Sequence, residues 1–514
     1  MLREQGNRPE ADAAAETART LAPATAWEYV TLGELQRQSE GDSLSALTFY
    51  QKALELDPHF HLALYFTGVA NLQHVQKLEG PNRPGEEPDI RGYLTASVTA
   101  FTACLAERPD FLWPLLLRGV AQAGLGENAL AEADFALVAR AAEKGDGILP
   151  ASLYAYGLAM NRGSLRFQQK RYDDALAEFT RAAELRPGQP EVLINLSLVE
   201  RAKERDGEAL ALLTRALAAD PRNRQAYRLR AELQQRLGDD AAAEKDYRAW
   251  LGLAEIPAEQ ARALIEIGKL YQRAGTLTEA VRTYREAVDL DESNGTAWRL
   301  LAEALLARGE TQEAEAAFSE ALTRLDPVGD LYRARGLTRA SQGRYRDAIN
   351  DYTRSLELEA SPNILTRRGW AYLMQARQLA LADFDEAIRL NPESGDSYNG
   401  RGYARALLGQ VDEATADAEE ALKRGPKAFE IYFNAAAIYG QTVGVVARDA
   451  KLADDDRTKR LEFLTGRAIE ILKDARILLG PDRAPLLKRA LNGDEAFLPL
   501  QSQPAWKSFV EALP

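Results

Sequence analysis

Residues 298–321 read WRLLAEALLARGETQEAEAAFSEA, and this stretch decides the fold. A small residue, Ala302, is followed twelve positions later by another, Ala314; an aromatic, Phe318, comes four further on and Ala321 three beyond that. Small residues at two facing positions let two antiparallel helices approach closely. The aromatic then fills the gap between one helical hairpin and the next. Outward from here the small position recurs at Gly163, Ser197, Ala231, Gly268, Ala302, Gly336, Gly369, Gly402 and Ala436, with gaps of 34, 34, 37, 34, 34, 33, 33 and 34 residues. Upstream, Gly33, Gly68 and Gly119 continue the series with gaps of 35 and 51.

The other positions repeat in phase. The second small residue returns as Ala175, Ala209, Ala243, Ala280, Ala348 and Ala414, and the aromatic as Phe179, Tyr247, Tyr284 and Tyr352. Pro58, Pro109, Pro187, Pro221, Pro392 and Pro426 follow the second segment, where proline ends a helix because it cannot donate the backbone bond. Nothing alternates with the period of two that a strand requires. A fixed period near 34 belongs to helical repeat architectures.

The pattern resembles the tetratricopeptide repeat over roughly residues 24–480; Trp298, Leu301, Ala302, Ala314, Phe318 and Ala321 carry the motif, as do Tyr332, Gly336, Ala348, Tyr352 and Ser355. The resemblance implies an all-α chain, a right-handed α-α superhelical solenoid of about twelve hairpins with a C-terminal capping helix. It divides the chain into a partial repeat at 1–23, N-terminal hairpins at 24–160, a regular array at 161–426, a last hairpin at 427–480 and a cap at 481–514. Long loops are expected at 77–92, with Pro81, Pro84 and Pro88, and at 441–460, with Asp454, Asp455 and Asp456; Glu143–Pro150 lengthens a third connection. Such loops are tolerated because closure costs little extra with length.

The two ends raise separate expectations. Ala11, Ala15, Ala18 and Pro23 fit a second helix with no room for its first, either a cap or the sign of a longer protein, with the latter favoured. At the other end Phe497, Leu498, Leu500, Trp506, Phe509 and Val510 are expected to cover the last hairpin. This tail resembles those of bacterial arrays that follow serine/threonine kinase domains, although no phosphate loop, His-Arg-Asp or Asp-Phe-Gly motif is present. That context implies, as the alternative reading, a regulatory or substrate-docking region of a kinase signalling protein.

The net charge of −13 argues against nucleic acid as partner, since a basic footprint is needed to displace counterions. A single cysteine fits a reducing compartment, and no apolar run is long enough to span a bilayer, so a cytoplasmic location without membrane insertion is expected. No catalytic constellation, metal site or cofactor is expected. His59, His61 and His74 lack further ligands, Cys104 sits at a small inter-helix position, and Asp383 and Asp385 are read as a solvated helix face.

In the resembled family the first helices line a concave peptide-binding groove. Carried over by position, Arg228, Arg299 and Arg333 hold one equivalent place, three before the small residue, while Arg262 and Lys269 fill groove places in the intervening unit. Arg201, Arg236 and Arg273 lie at others, and Asn161 and Asn195 stand two before the small residue, where an amide can hold an extended backbone. Guanidinium groups bind carboxylate or phosphate bidentately, so the expected partners are other proteins or extended peptides that are acidic or phosphorylated. Pairing with Glu232, Glu266 or Glu303 is the competing fate of these charges.

Overall fold

Why the opening stretch makes two helices is visible at its ends. Asn294 Oδ1 accepts the Ala297 N–H at 3.1 Å and starts the helix Gly295–Ala307. Gly309 stops it in the left-handed region (φ +82°), which a residue with a side chain adopts at a cost. The second helix, Thr311–Arg324, turns back on the first. Ala302, Ala314, Phe318 and Ala321 are fully buried between them and their neighbours.

In a computed structural model of the chain, residues 23–39, 43–78, 89–144, 151–373, 375–480 and 483–513 are described. They form helices and no strand, and twenty-four helices run in successive pairs from Ala26 to Leu479. The chain parts between Leu270 and Tyr271 into two compact units. Within each unit every hairpin packs on the next. The small positions need to be small: a Cβ on Gly163 would stand 2.6 Å from Phe179 Cε1, and one on Gly336 would stand 2.9 Å from Tyr352 Cε1. The buried aromatics reach forward as expected, with Tyr352 packed among Ala348, Ile364 and Ala371. Each proline of the series lies just past a second helix, as Pro187 does after Leu185 and Pro221 after Ala219.

Two expectations about departures from the period change. The extra residues at 441–460 do not make a loop: the last hairpin has a helix from Phe429 to Arg448 and a second from Asp454 to Leu479. Ile438, Val443 and Val446 continue the buried face of the first helix. Asp454, Asp455 and Asp456 open the second, where acidic side chains favour the positive end of the helix dipole. At 77–92 the flanking helices His61–Leu78 and Ile90–Glu107 take up part of the extra length, with Asp89 Oδ1 accepting the Gly92 N–H at 2.7 Å. Residues 79–88, 145–150 and the expected partial repeat at 1–22 lie outside the described residues.

The tail is not a single capping helix. Helices Ala484–Gly493 and Pro504–Glu511 flank a 3₁₀ stretch, Glu495–Ser502. Pro499 and Pro504 forbid one continuous α-helix. Phe497, Leu500 and Trp506 are nevertheless buried, with the Phe497 and Trp506 rings stacked 5.5 Å apart, while Leu498 points to solvent.

Candidate binding surface

Within each unit the first helices of several consecutive hairpins touch one another, as Pro362–Leu373 touches Gly395–Leu407, whereas the described second helices make no comparable contact. The hairpins therefore fan outward from their first helices, and side chains on the open side of those helices share an inner face.

Of the residues singled out in the sequence, Arg201, Arg228, Arg236, Arg262 and Lys269 belong to the first unit and Arg273, Arg299 and Arg333 to the second. Most are paired locally. Arg228 bridges to Glu232 one turn on, and Arg201 reaches the same carboxylate at 3.4 Å. Arg299 meets Glu303 at 2.7 Å, Lys269 meets Glu266 at 2.7 Å, and Arg333 meets Asp330 at 2.9 Å. Arg236 bridges to Asp206. Half-buried Arg262 has no ion pair among the described residues. The guanidinium side chains of Arg228, Arg299 and Arg333 keep 39%, 37% and 38% of their surface accessible, so each can still meet a ligand. Exposed pairs of this kind contribute little to folding.

Asn161 donates its amide to Gly157 O at 2.8 Å in its own helix, and no hydrogen bond joins it to half-buried Asn195.

A second set of arginines escaped the sequence reading. Arg118, Arg230, Arg335, Arg368 and Arg401 stand one residue before the small position and fork onto Asp134, Asp246, Asp351, Asp383 and Asp417 at 2.6 to 3.0 Å. All five aspartates are buried. Each arginine also reaches the second helix of the preceding hairpin, Arg118 bonding Thr102, Arg230 Thr214, Arg335 Ser319, Arg368 Thr353 and Arg401 Asp385. The Asp383 expectation is thus corrected: this carboxylate is buried under a bidentate guanidinium, and only Asp385 stays exposed. The signal was legible, because the aspartate directly precedes the aromatic in Asp134-Phe135, Asp246-Tyr247, Asp351-Tyr352 and Asp383-Phe384.

The remaining candidates have structural surroundings. Cys104 is fully buried, and burial pushes its thiol up to about 11. His59 Nδ1 lies 2.8 Å from Glu107, and the His74 ring meets Tyr93 edge-on at 4.6 Å. Among the described residues no group of three or more His, Cys, Asp or Glu side chains could hold a metal, and no helix is long and apolar enough to cross a membrane.

The family description "Tetratricopeptide repeat" matches residues 166–233, 265–330 and 377–429. Those segments are matched as tetratricopeptide repeats, and the hairpins on either side of them run in phase with them. The chain is similar to the human protein O-mannosyl-transferase TMTC1, 26% identical over 200 residues that cover 38% of this chain and 22% of that protein. It also resembles the human mitochondrial import receptor subunit TOM70, 38% identical over 66 residues, 13% of this chain and 11% of that one. The chain therefore spans less than a quarter of the length of either relative. Among solved structures, the C-terminal part of a repeat protein from Cytophaga hutchinsonii is 14% identical, with a TM-score of 0.41 over 46% of this chain and 97% of that one.

Proposed function

We propose that this chain is a non-catalytic interaction scaffold that binds peptide segments or partner proteins on the inner face of its hairpins. The observation that carries the reading is the recurrence of Arg299 and Arg333 at one place in the second unit, with Arg228 at the equivalent place in the first. These arginines recur at one place in the first helices, stay about two-fifths accessible, and rest on carboxylates of their own helix rather than in the core. An acidic or phosphorylated segment replaces such an intrahelical partner without leaving a buried charge behind. Each charge-assisted bond gained adds on the order of 1.5–3 kcal/mol before the lost pair is subtracted. Asn161, Asn195, Arg201, Arg236, Arg262, Lys269 and Arg273 extend the same surfaces within their units. Names of relatives fit this reading, an import receptor subunit and a heat shock protein among them.

The test is a pull-down with the whole chain beside a chain carrying Arg228→Glu, Arg299→Glu and Arg333→Glu. Partners that bind through this row disappear from the reversed chain while its melting temperature holds. An identical partner set from both chains removes the row from the account.

A further inference from the structure

Toward its C-terminal end the inner face of the second unit changes character. Trp370 directly follows Gly369, and Tyr403 directly follows Gly402, so the two rings hold one equivalent place in consecutive first helices. Their centroids stand 6.2 Å apart at a tilt of 50°. Phe384 braces Trp370 from behind, edge-on at 5.7 Å. Trp370 Nε1 donates to Asp396 Oδ1 at 3.3 Å. Asp396 is accessible to solvent, and the partial burial of its carboxyl raises it above the usual range.

The tail supplies the far wall. A Cβ on Gly440 would stand 2.4 Å from Ala496 O and one on Gly444 would stand 2.9 Å from Pro499 Cγ, so only glycines let the 3₁₀ stretch lie against this helix. Phe497 meets Phe433, three residues before the small position Ala436, at 5.2 Å. The tail thereby covers the inner face of the last hairpin and brings Asp494 and Glu495 close to Tyr403. Burial and then Asp494 raise its phenol above the ordinary value, with Glu495 adding to the effect. The neighbouring guanidinium, Arg367, is held by Asn363 Oδ1 at 2.8 Å.

Two tilted aromatic faces ringed by carboxylates attract a cation, because the ring quadrupole is negative at the face and the carboxylates add charge. We propose that Trp370, Tyr403 and Asp396, walled by Asp494 and Glu495, receive the cationic side chain of a lysine, methylated lysine or arginine in an extended partner segment. The proposal rests on the inner face being a partner surface, but uses none of its arginines and selects the opposite charge.

The experiment titrates the full chain, by fluorescence anisotropy, with labelled decapeptides that differ only at the centre: lysine, trimethyl-lysine, norleucine or glutamate. The lysine and trimethyl-lysine peptides bind about tenfold more tightly than the norleucine peptide, and Tyr403→Leu removes that advantage. Asp396→Asn, which preserves shape, weakens lysine more than trimethyl-lysine, because only lysine offers the carboxylate an N–H. Circular dichroism confirms that each variant is folded. Equal binding of the lysine and norleucine peptides, no effect of either variant, or no binding of any peptide overturns the site. Binding of lysine peptides without binding of acidic ones keeps this site and sinks the arginine row; the converse pattern does the opposite.

Discussion

Two arginine positions stand only two residues apart in the first helices, both filled in Arg224–Arg236 and Gly329–Ser341, and their surroundings differ. Arg335, one before Gly336, lies between helices with 17% of its side chain accessible and forks onto buried Asp351. Arg333, three before the same glycine, has 38% accessible and rests on exposed Asp330. A helix advances about 100° per residue, so two positions turn the side chain from the seam between hairpins to the open face. The inner row ties five hairpins to the one before each of them. The outer arginines rest in exposed pairs that add little to folding, and these are the ones proposed to meet a partner. The position of an arginine relative to the small residue, more than its presence, separates a buried tie from an exposed pair.

Breaking the seam gives the largest effect. Asp351→Ala strands Arg335 and takes from Arg339 one of its two carboxylates, and removing one partner of a buried pair costs about 3–5 kcal/mol, read as a drop in the denaturation midpoint of the second unit. A wild-type midpoint would show that water reaches the seam. Gly163→Leu probes the packing beside it by driving atoms into Phe179, where overpacking costs about 1–3 kcal/mol in the first unit by the same measurement.

Acid sharpens the comparison further. Arg339 and Arg344 hold the Glu315 carboxyl below its ordinary 4.5, their hydrogen bonds outweighing the opposing effect of its burial. A carboxyl lowered in the folded state contributes stability above the unfolded value and loses it as pH falls through the folded value. Acid titration should therefore destabilise the wild-type chain more steeply below pH 4.5 than it does Glu315→Gln; parallel curves would place the network in solvent. The smallest effect belongs to the open face, where Arg228→Ala or Arg299→Ala shifts the midpoint by less than about 0.5 kcal/mol in urea denaturation.

The hairpins were legible because their geometry demands particular volumes: Gly163 against Phe179 and Gly336 against Tyr352 leave room for nothing larger. The lengthened last hairpin was not, because an interval between small residues does not distinguish loop from helix. Ile438, Val443 and Val446, with Asp454 to Asp456 opening the next helix, hold the information that the interval lacks. The seam was half legible. Each aspartate before an aromatic lies 15 or 16 residues beyond its arginine, a spacing that brings the two side chains together only after the hairpin closes. The tail's wall on the inner face was illegible, since it depends on Gly440 and Gly444 meeting a segment more than fifty residues away.

The central claim, that the exposed arginine row recognises while the buried row supports, is tested most directly by one titration. A labelled poly-glutamate decapeptide is titrated into the wild-type chain and into a chain carrying Arg299→Ala and Arg333→Ala, with the denaturation midpoint of each recorded beside it. The account predicts at least about tenfold weaker binding at an unchanged midpoint, as expected when two charge-assisted contacts are lost from a surface. Unchanged affinity, or an affinity that falls only together with the midpoint, would contradict it.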